Sequence, residues 1–237
     1  MEKTEIVTIA HIRSPYGSKF GIPRQSNLVG GTPATIVFEP EYRDPEALRG
    51  IGTFDYLWLV WLFSENKEKG WHATVRPPRL GGNKRMGVFA TRSPFRPNAL
   101  GLSSVRLIGV TEQSEEGPLL HVDGADLMDG TPIVDIKPYI AYCDAHAEAR
   151  SGFAATAPER LATVDWAAGT QEALAPELRS ALEEVLRQDP RPQYQRDETR
   201  VYGMTFDRYE VKFRIADGRV TVVAIAPNDG ARRQHKF

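Results

Sequence analysis

Short apolar runs separated by polar turns follow one another through the N-terminal part of the chain. The longest, YLWLVWLF at 56–63, is too short for a helix, and its aromatic and β-branched residues are typical of a buried strand. Further strands are predicted at 5–12, 35–38, 86–91, 103–111, 119–122 and 133–139. Asp44 is predicted to cap one or two helical turns that begin at Pro45. Many short strands with few helices predict a β-barrel or a strongly curved sheet.

The C-terminal part follows a different pattern. Residues 171–188 are predicted to form an amphipathic helix, with Pro176 where its regular part begins, and with apolar residues such as Leu178 and Leu182 on one face. Strands are predicted at 201–206, 209–215 and 220–226, and Asp217-Gly218 is a hairpin turn signal between the last two. Together these elements indicate a small α+β unit.

A change of composition separates the two parts. From 146 to 165 the chain is rich in Ala, Ser, Thr and Pro, which is typical of a linker. We therefore predict a mainly β protein with a single-sheet β-barrel domain at 1–145, a linker at 146–165, and a small α+β domain at 166–237.

Composition excludes several classes of protein. The chain has 237 residues and a formal net charge of -1, and its longest apolar run is strand-sized, so no membrane span and no signal peptide are expected. Cys143 is the only cysteine, which excludes an internal disulfide and fits a reducing, cytoplasmic location. The five histidines share no i, i+4 spacing, so no metal site is expected. The sequence also lacks G-x-G-x-x-G, a P-loop and G-x-S-x-G.

Charge is distributed unevenly along this nearly neutral chain. Residues 69–111 contain eight Lys or Arg and no Asp or Glu. Within this acid-free run, Arg92 and Arg96 lie in GVFATRSPFRPN, with Trp71, Phe89 and Phe95 interleaved. Arginine suits phosphate and carboxylate, and aromatic rings near cations suit nucleic acids. A solvated basic loop and an anion or nucleic-acid site remain alternative interpretations.

Two neighbouring segments add candidate residues. The basic segment RPPRLGGNKR at 76–85 carries Arg76, Arg79, Lys84 and Arg85 and has the Gly content of an exposed loop. The segment ADLMDGTP at 125–132 contains Asp129-Gly130, which favours a turn with positive φ. It is interpreted either as a tight connection between strands or as a pocket wall, in which Asp126 or Asp129 accepts hydrogen bonds from a polar ligand.

Several of these segments resemble one known family. The residues TVRPPRLGGNKRM at 74–86, GVFATRSPFRPNALGLS at 87–103 and DLMDGTPIVDIKPY at 126–139 are similar to the TrmO family, also called TsaA or YaeB. IRSPYGSKFGIPRQ at 12–25 and QDPRPQY at 188–194 resemble its bacterial members, so the similarity spans essentially the whole chain.

The resemblance implies a fold and an activity. Family members are S-adenosylmethionine-dependent methyltransferases that modify threonylcarbamoyl-adenosine, next to the anticodon of threonine tRNA. The resemblance also implies an N-terminal single-sheet β-barrel, a homodimer and a cofactor site near the subunit interface. The implied cofactor-binding residues are Pro23, Arg24, Gln25, Ser64, Glu65, Arg92, Leu102, Leu127, Met128, Asp129 and Gly130.

Methyl transfer also requires alignment of the acceptor and a place for its proton. Asp126 and Asp129 are the candidate catalytic residues for this role. Arg76, Arg79, Lys84, Arg85, Arg96 and Asn98 are the candidate tRNA-binding residues. A non-catalytic RNA-binding β-barrel remains the alternative function, and a hydrolase of a small phosphorylated metabolite is a weaker one because no nucleophile motif is present.

Overall fold

A computed structural model describes residues 2–65, 70–191 and 197–228. Lys69, the first residue of the acid-free run, and positions 192–194 of the QDPRPQY segment lie outside the described residues. In the N-terminal part the strands are β1 (Ala10–Arg13), β2 (Ala34–Phe38), β3 (Tyr56–Leu62), β4 (Thr74–Val75), β5 (Met86–Gly87), β6 (Leu100–Thr111), β7 (Leu119–Asp123) and β8 (Pro132–Pro138). Six of these strands close a barrel in the order β1-β2-β7-β6-β3-β8, which confirms the predicted mainly β fold with an N-terminal barrel.

Buried and more exposed residues alternate along the barrel strands. In β3, Leu57, Leu59 and Trp61 are buried, while the residues between them are more exposed. A strand with period-two burial presents one face to an interior and the other outward. The barrel core is filled mainly by aliphatic residues from every strand of the closed sheet, including Ile12, Ile36, Leu59, Val105, Leu120 and Ile133.

The C-terminal part forms a second sheet covered by a helix. The short helix α1 (Ala141–Asp144) follows β8 and lies against the barrel, where Asp144 accepts a hydrogen bond from Trp58. The elements of the second sheet and its helix are β9 (Thr163–Trp166), α2 (Pro176–Arg187), β10 (Val201–Phe206), β11 (Tyr209–Ala216) and β12 (Arg219–Pro227). The sheet order is β10-β11-β12-β9, with β9 parallel to β12. Helix α2 buries Ala181, Leu182, Val185 and Leu186. Pro176 occupies its first turn, as predicted.

Four predicted elements differ from the observed ones. The strand expected at 5–12 begins only at Ala10, because its pairing with β2 starts there, and Ile6 and Val7 are more than half exposed. The strand expected at 86–91 ends at Gly87, and residues Val88–Ala90 form a 3₁₀ turn. The helix expected at 171–188 begins with a separate 3₁₀ turn before α2. The segment expected to be a linker up to residue 165 contains most of β9, which is four residues long and pairs with β12.

The long connection between β1 and β2 belongs to both parts of the molecule. Tyr16 and Val29, which come from this loop, are buried in the C-terminal core beside α2 and β10–β12. Phe20 packs there too, with its ring stacked 6.1 Å from Phe213 and 6.2 Å from Tyr202. The C-terminal sheet therefore supports a loop of the barrel domain, here called the β1–β2 loop (residues 14–33).

Candidate active site

A cavity of about 500 Å³ lies where the β1–β2 loop meets strands β3 and β6. That volume falls within the roughly 300–1,000 Å³ of small-molecule sites. The cavity wall includes nine of the residues proposed above for cofactor binding or catalysis: Pro23, Arg24, Gln25, Ser64, Glu65, Arg92, Leu102, Asp126 and Met128. Five separate places in the sequence, at 23–25, 64–65, 92, 102 and 126–128, thus converge on one site.

Three other predicted cofactor residues lie elsewhere. Leu127 is 1% exposed and belongs to the barrel core, while its carbonyl accepts a hydrogen bond from Ser14 Oγ at 2.8 Å. Gly130 adopts a φ of 74°, as its turn requires, and its amide donates to the carbonyl of Ile12. Asp129 lines a second cavity of about 680 Å³ between the barrel and α2, and its carboxylate accepts the amide of Ser14 at 2.9 Å. The loop therefore separates Asp126 from Asp129.

Asp126 sits in a chain of hydrogen bonds at the cavity wall. The Trp61 indole N–H donates to Ser103 Oγ at 3.0 Å, and Ser103 Oγ donates to Asp126 Oδ1 at 2.5 Å. Burial raises the pKa of the Asp126 carboxyl, although the Ser103 hydroxyl and the nearby charge of Arg92 oppose the shift. A desolvated carboxylate with a raised pKa is a better proton acceptor than an exposed one.

The aromatic part of the wall comes from β3 and the residue after it. Trp61 and Phe63 touch edge to face with centroids 4.3 Å apart. Gly101 lies directly beside Trp61, since a Cβ at Gly101 would fall 2.2 Å from the indole ring. Trp58, also in the wall, donates its indole N–H to Asp144 Oδ2 at 2.9 Å. Trp58, Trp61 and Phe63 were expected only as parts of a buried strand at 56–63, with no role in a site. The i, i+2 spacing of Trp61 and Phe63, which puts both rings on one face of the strand, was the available signal.

Charged groups of both signs surround the opening. Arg92 donates a hydrogen bond to Gln25 Oε1, and Arg24 donates to the carbonyls of Asp189 and Arg191 at 3.4 Å each. Lys19, which sequence reasoning did not single out, donates to the Glu65 carbonyl at 3.1 Å. The site can therefore hold a ligand that carries separate positive and negative groups.

The predicted tRNA-binding residues fall into two places. Arg96 lies in the cavity wall, where its Nη1 donates to the carbonyls of Val88 and Thr91 at 3.2 and 2.6 Å. The remaining ones stand outside it: Arg76, Arg79, Lys84 and Arg85 on the β4–β5 hairpin, and Asn98 just before β6. Arg76, Lys84, Arg85 and Asn98 are exposed.

The described residues contain neither a cluster of metal ligands nor a helix that could span a membrane. Within 2–65, 70–191 and 197–228, no group of three or more His, Cys, Asp or Glu side chains is placed to hold a metal ion. Across the same ranges, no helix has the length and hydrophobicity needed to cross a membrane.

S-adenosylmethionine, the cofactor that the resemblance implies, fits this donor set. It carries a carboxylate, an ammonium group, a sulfonium and an adenine. Arg24 and Arg92 offer donors to an anion, and Asp126 and Glu65 offer negative charge to cations. Trp61 and Phe63 offer an aromatic wall to a heterocycle.

Comparison with known proteins gives matches along both parts of the chain. A family model described as the tRNA-methyltransferase O N-terminal domain matches residues 11–145, and the TrmO C-terminal domain model matches residues 161–228. The tRNA (adenine(37)-N6)-methyltransferase of Escherichia coli is 39% identical over 235 residues, which cover 96% of this chain and 100% of that protein. A putative S-adenosylmethionine-dependent methyltransferase, RcsF, of Pseudomonas aeruginosa is 42% identical over 83% of this chain and 86% of its own length.

A solved structure is similar over nearly the same extent. The crystal structure of TrmO from Pseudomonas aeruginosa superposes with a TM-score of 0.76 at 32% identity, covering 95% of this chain and 99% of that one. The similarity therefore includes the barrel, the C-terminal sheet and the connection between them.

Proposed function

Because the chain belongs to the TrmO family of S-adenosylmethionine-dependent tRNA methyltransferases, we propose that it methylates threonylcarbamoyl-adenosine next to the anticodon of threonine tRNA. The enzyme class, the cofactor and tRNA as substrate follow from the family. The modified base and the threonine tRNA are the finer part of the proposal. The observation that carries it is the convergence of Asp126, Arg92 and the β1–β2 loop on one cavity.

When bound, S-adenosylmethionine would supply an activated methyl group carried on a positively charged sulfur. The chain must then hold the acceptor nitrogen in line and keep water out. Trp61 and Phe63 form an aromatic wall in the same cavity as Asp126 and leave little room for water there. Arg92 and Arg24 are proposed to bind carboxylate groups at the opening.

Asp126 is proposed as the group that accepts the proton from the acceptor nitrogen. Ser103 and the backbone amides of Ser26 and Asp126 hydrogen bond to this carboxyl and hold it at the cavity wall. Asp129 is not proposed for this step, because its carboxylate lies toward the second cavity and accepts the Ser14 amide. An equal loss of turnover in Asp129→Asn and Asp126→Asn would contradict this division.

Labelled methyl transfer tests the proposed substrate. Purified protein would be incubated with methyl-labelled S-adenosylmethionine and threonine tRNA that either carries or lacks the threonylcarbamoyl group, and the nucleosides would be identified by mass spectrometry. We expect label only on the threonylcarbamoyl-adenosine. Equal labelling of unmodified adenosine would overturn the substrate, and RNA binding without any transfer would favour the non-catalytic alternative.

We also propose that the protein is a homodimer. Leu102 lines the cavity although its side chain is 57% exposed, and Ile108, further along β6, is 50% exposed. Apolar side chains left open in this way are often covered by a partner subunit. Light scattering after size exclusion is expected to give twice the chain mass, and Leu102→Glu is expected to lower it. A monomer at every concentration would contradict the proposal.

A cytoplasmic location is proposed as well, since it follows from a tRNA substrate. The exposed, free Cys143 is compatible with a reducing compartment. Fractionation with an antibody against the protein would check it, and recovery with the membrane fraction would contradict it.

A further inference from the structure

Phe89 is the most exposed phenylalanine among the exposed large hydrophobic residues of the described chain, with 73% of its surface open to solvent. It occupies the middle of the 3₁₀ turn Val88–Ala90. Its neighbour Val88 is 1% exposed, the Val88 amide donates to the Ala73 carbonyl at 3.0 Å, and Thr91 Oγ1 donates to the Val88 carbonyl at 2.8 Å. A fixed turn therefore holds this ring outward, although burial would ordinarily be favoured.

One side of the ring is occupied by Arg96. The guanidinium carbon of Arg96 lies 5.7 Å from the Phe89 ring centroid, within the range of a cation–π contact. Hydrogen bonds to the carbonyls of Val88 and Thr91 keep the guanidinium in place. Since Arg96 is also part of the cavity wall, Phe89 stands within one side chain of the proposed active site. The exposure of the ring leaves its other face to solvent.

The surroundings of the ring carry positive charge. The turn directly follows β5, whose Gly87 pairs with Thr74 of β4. The β4–β5 hairpin presents exposed Arg76, Lys84 and Arg85, and no acidic residue occurs between 70 and 111. Base stacking on an aromatic face next to basic groups is the usual way in which proteins hold single-stranded nucleic acid.

We propose that the open face of Phe89 stacks on an unpaired base of the anticodon loop and thereby positions the neighbouring acceptor nucleotide at the cavity. The inference deepens the proposed function and rests on it for the identity of the RNA. A single ring set between a guanidinium and a basic hairpin fits the π-face of a nucleobase. A protein partner would instead use a broader apolar patch and would not depend on a base.

Substitutions at Phe89 test the proposal through binding of an anticodon stem-loop, measured by fluorescence anisotropy. Phe89→Ala and Phe89→Leu should each weaken binding by roughly 5- to 150-fold, the range expected for stacking of one base. Phe89→Tyr and Phe89→Trp should retain it, because they keep an aromatic face. Retained affinity in Phe89→Leu would show that apolar packing suffices and would overturn stacking.

A second set of RNAs identifies the base. In stem-loops that each lack one loop base, one abasic loop should bind wild type and Phe89→Ala equally. A penalty of Phe89→Ala that is the same for every abasic loop would overturn the proposal. The binding assay detects the stacking contact whether or not a methyl group is transferred. An absence of methylation would therefore count against the proposed function and not against the stacking contact.

Controls separate stacking from misfolding and from cofactor binding. The affinity for S-adenosylmethionine, measured by calorimetry, and the melting temperature should be unchanged in Phe89→Ala, because the ring is exposed. Phe54→Ala removes another exposed phenylalanine just before the start of β3, at the end away from the cavity residues Leu62 and Phe63. Phe54→Ala should bind the stem-loop like wild type, and an equal loss in both variants would contradict a specific contact.

Discussion

Asp126 and Asp129 are three positions apart in the sequence, and the loop that carries them directs them to different cavities. The sequence predicted that one of the two accepts a proton but could not say which, because both lie in a turn segment with no periodic pattern. The hydrogen bonds of Ser103 to Asp126 and of the Ser14 amide to Asp129 distinguish them. Those bonds join residues 23 and 115 positions apart, so no local pattern could reveal them.

Asp126→Asn is expected to lower kcat roughly 100-fold, the contribution typical of a positioned proton acceptor. Asparagine keeps an oxygen for Ser103 but cannot take the proton. In the wild type, kcat should fall as the pH drops through the pKa of Asp126, because the protonated carboxyl is no longer an acceptor. Burial raises that pKa, so the fall should occur at a higher pH than for an exposed aspartate.

Steady-state kinetics across the acidic range would measure this profile. Asp126→Asn should lack the acidic limb when the profile is measured at saturating S-adenosylmethionine, which keeps any change of cofactor affinity out of the comparison. Asp135→Asn, at an exposed ion pair with Lys137, serves as the control and should keep the wild-type profile. An acidic limb that survives in Asp126→Asn would assign the titration to another group.

Asp123 makes a different, structural contribution. Its carboxylate is 8% exposed, and although burial alone would raise its pKa, the hydrogen bonds from Arg106 and from the amides of Gly31 and Thr32 lower it. The folded-state pKa is therefore below the unfolded value of about 3.9. The stability that Asp123 contributes is present above that value and is lost as the pH falls through the folded-state pKa.

Asp123→Asn should accordingly lower the free energy of unfolding by about 1–3 kcal/mol at neutral pH, the usual effect of disturbing buried hydrogen bonds. The difference from wild type should shrink as the pH falls below about 4. Denaturant unfolding at several pH values would measure it. A difference in unfolding free energy that is constant with pH would show that Asp123→Asn acts through a change of shape and not through the loss of charge.

At the scale of elements, Gly101 in β6 allows Trp61 of β3 to lie flat against the strand. Gly101→Ala would place a methyl group 2.2 to 2.5 Å from three atoms of the indole, so the ring must move. The move would disturb the hydrogen bonds from Trp61 to Ser103 and from Ser103 to Asp126. We expect affinity for S-adenosylmethionine to fall about tenfold or more, equivalent to about 1.4 kcal/mol.

Calorimetry with the purified variant would measure this loss. Gly109→Ala is a matched control, because Gly109 lies on the same strand and no atom stands within 4 Å of the added methyl group. Its cofactor affinity should equal that of the wild type. Equal losses of cofactor affinity in the two variants would mean that the substitutions act by disturbing strand β6 and not by displacing Trp61.

The elements that the sequence predicts well are strands in which apolar and polar residues alternate or in which a long apolar run occurs. β3 and β6 to β8 follow the sequence pattern closely, because burial on one face imposes it. β4 and β5 were not predictable as a hairpin, since two residues per strand carry no periodicity. β9 was missed because its four half-buried residues gain stability from parallel pairing with a strand more than fifty positions away.

At the scale of the whole molecule, the acid-free run is divided between the cavity wall and the outer surface. The distribution of charge along the sequence identified the run. Only the fold shows that Arg92 and Arg96 line the same cavity as Asp126, while Arg76, Lys84 and Arg85 are on a separate hairpin. The sequence also gave no indication that the β1–β2 loop packs on the C-terminal core. That packing depends on complementary side-chain shapes at positions that are far apart in the sequence.

Phe20→Ala tests whether the C-terminal sheet supports the cofactor site. Phe20 stacks on Tyr202 and Phe213, while Lys19 and Ile22 on either side of it line the cavity. Loss of the ring should cost about 2 kcal/mol of stability, less than the roughly 3–5 kcal/mol of a fully buried phenylalanine. It should also weaken S-adenosylmethionine binding about tenfold, because the loop loses its anchor.

Thermal unfolding and calorimetry would measure the two effects. Val222→Ala is the control: it removes buried volume from the same core at β12 and leaves the loop residues intact. It should reduce stability without changing cofactor affinity. Unchanged affinity for S-adenosylmethionine in Phe20→Ala would contradict the prediction that the C-terminal sheet supports the cofactor site.

The packing of Tyr16 and Val29 against residues 174–222 also determines when the site can form during synthesis. The loop leaves the ribosome early, but its apolar partners emerge only after most of the chain has been translated. Contacts between such distant positions form late and slowly. The barrel can close once β8 has emerged, yet its β1–β2 loop would remain without a support until β12 is in place. Full cofactor affinity is therefore expected only after β12, the last strand of the described residues, has been translated and has folded.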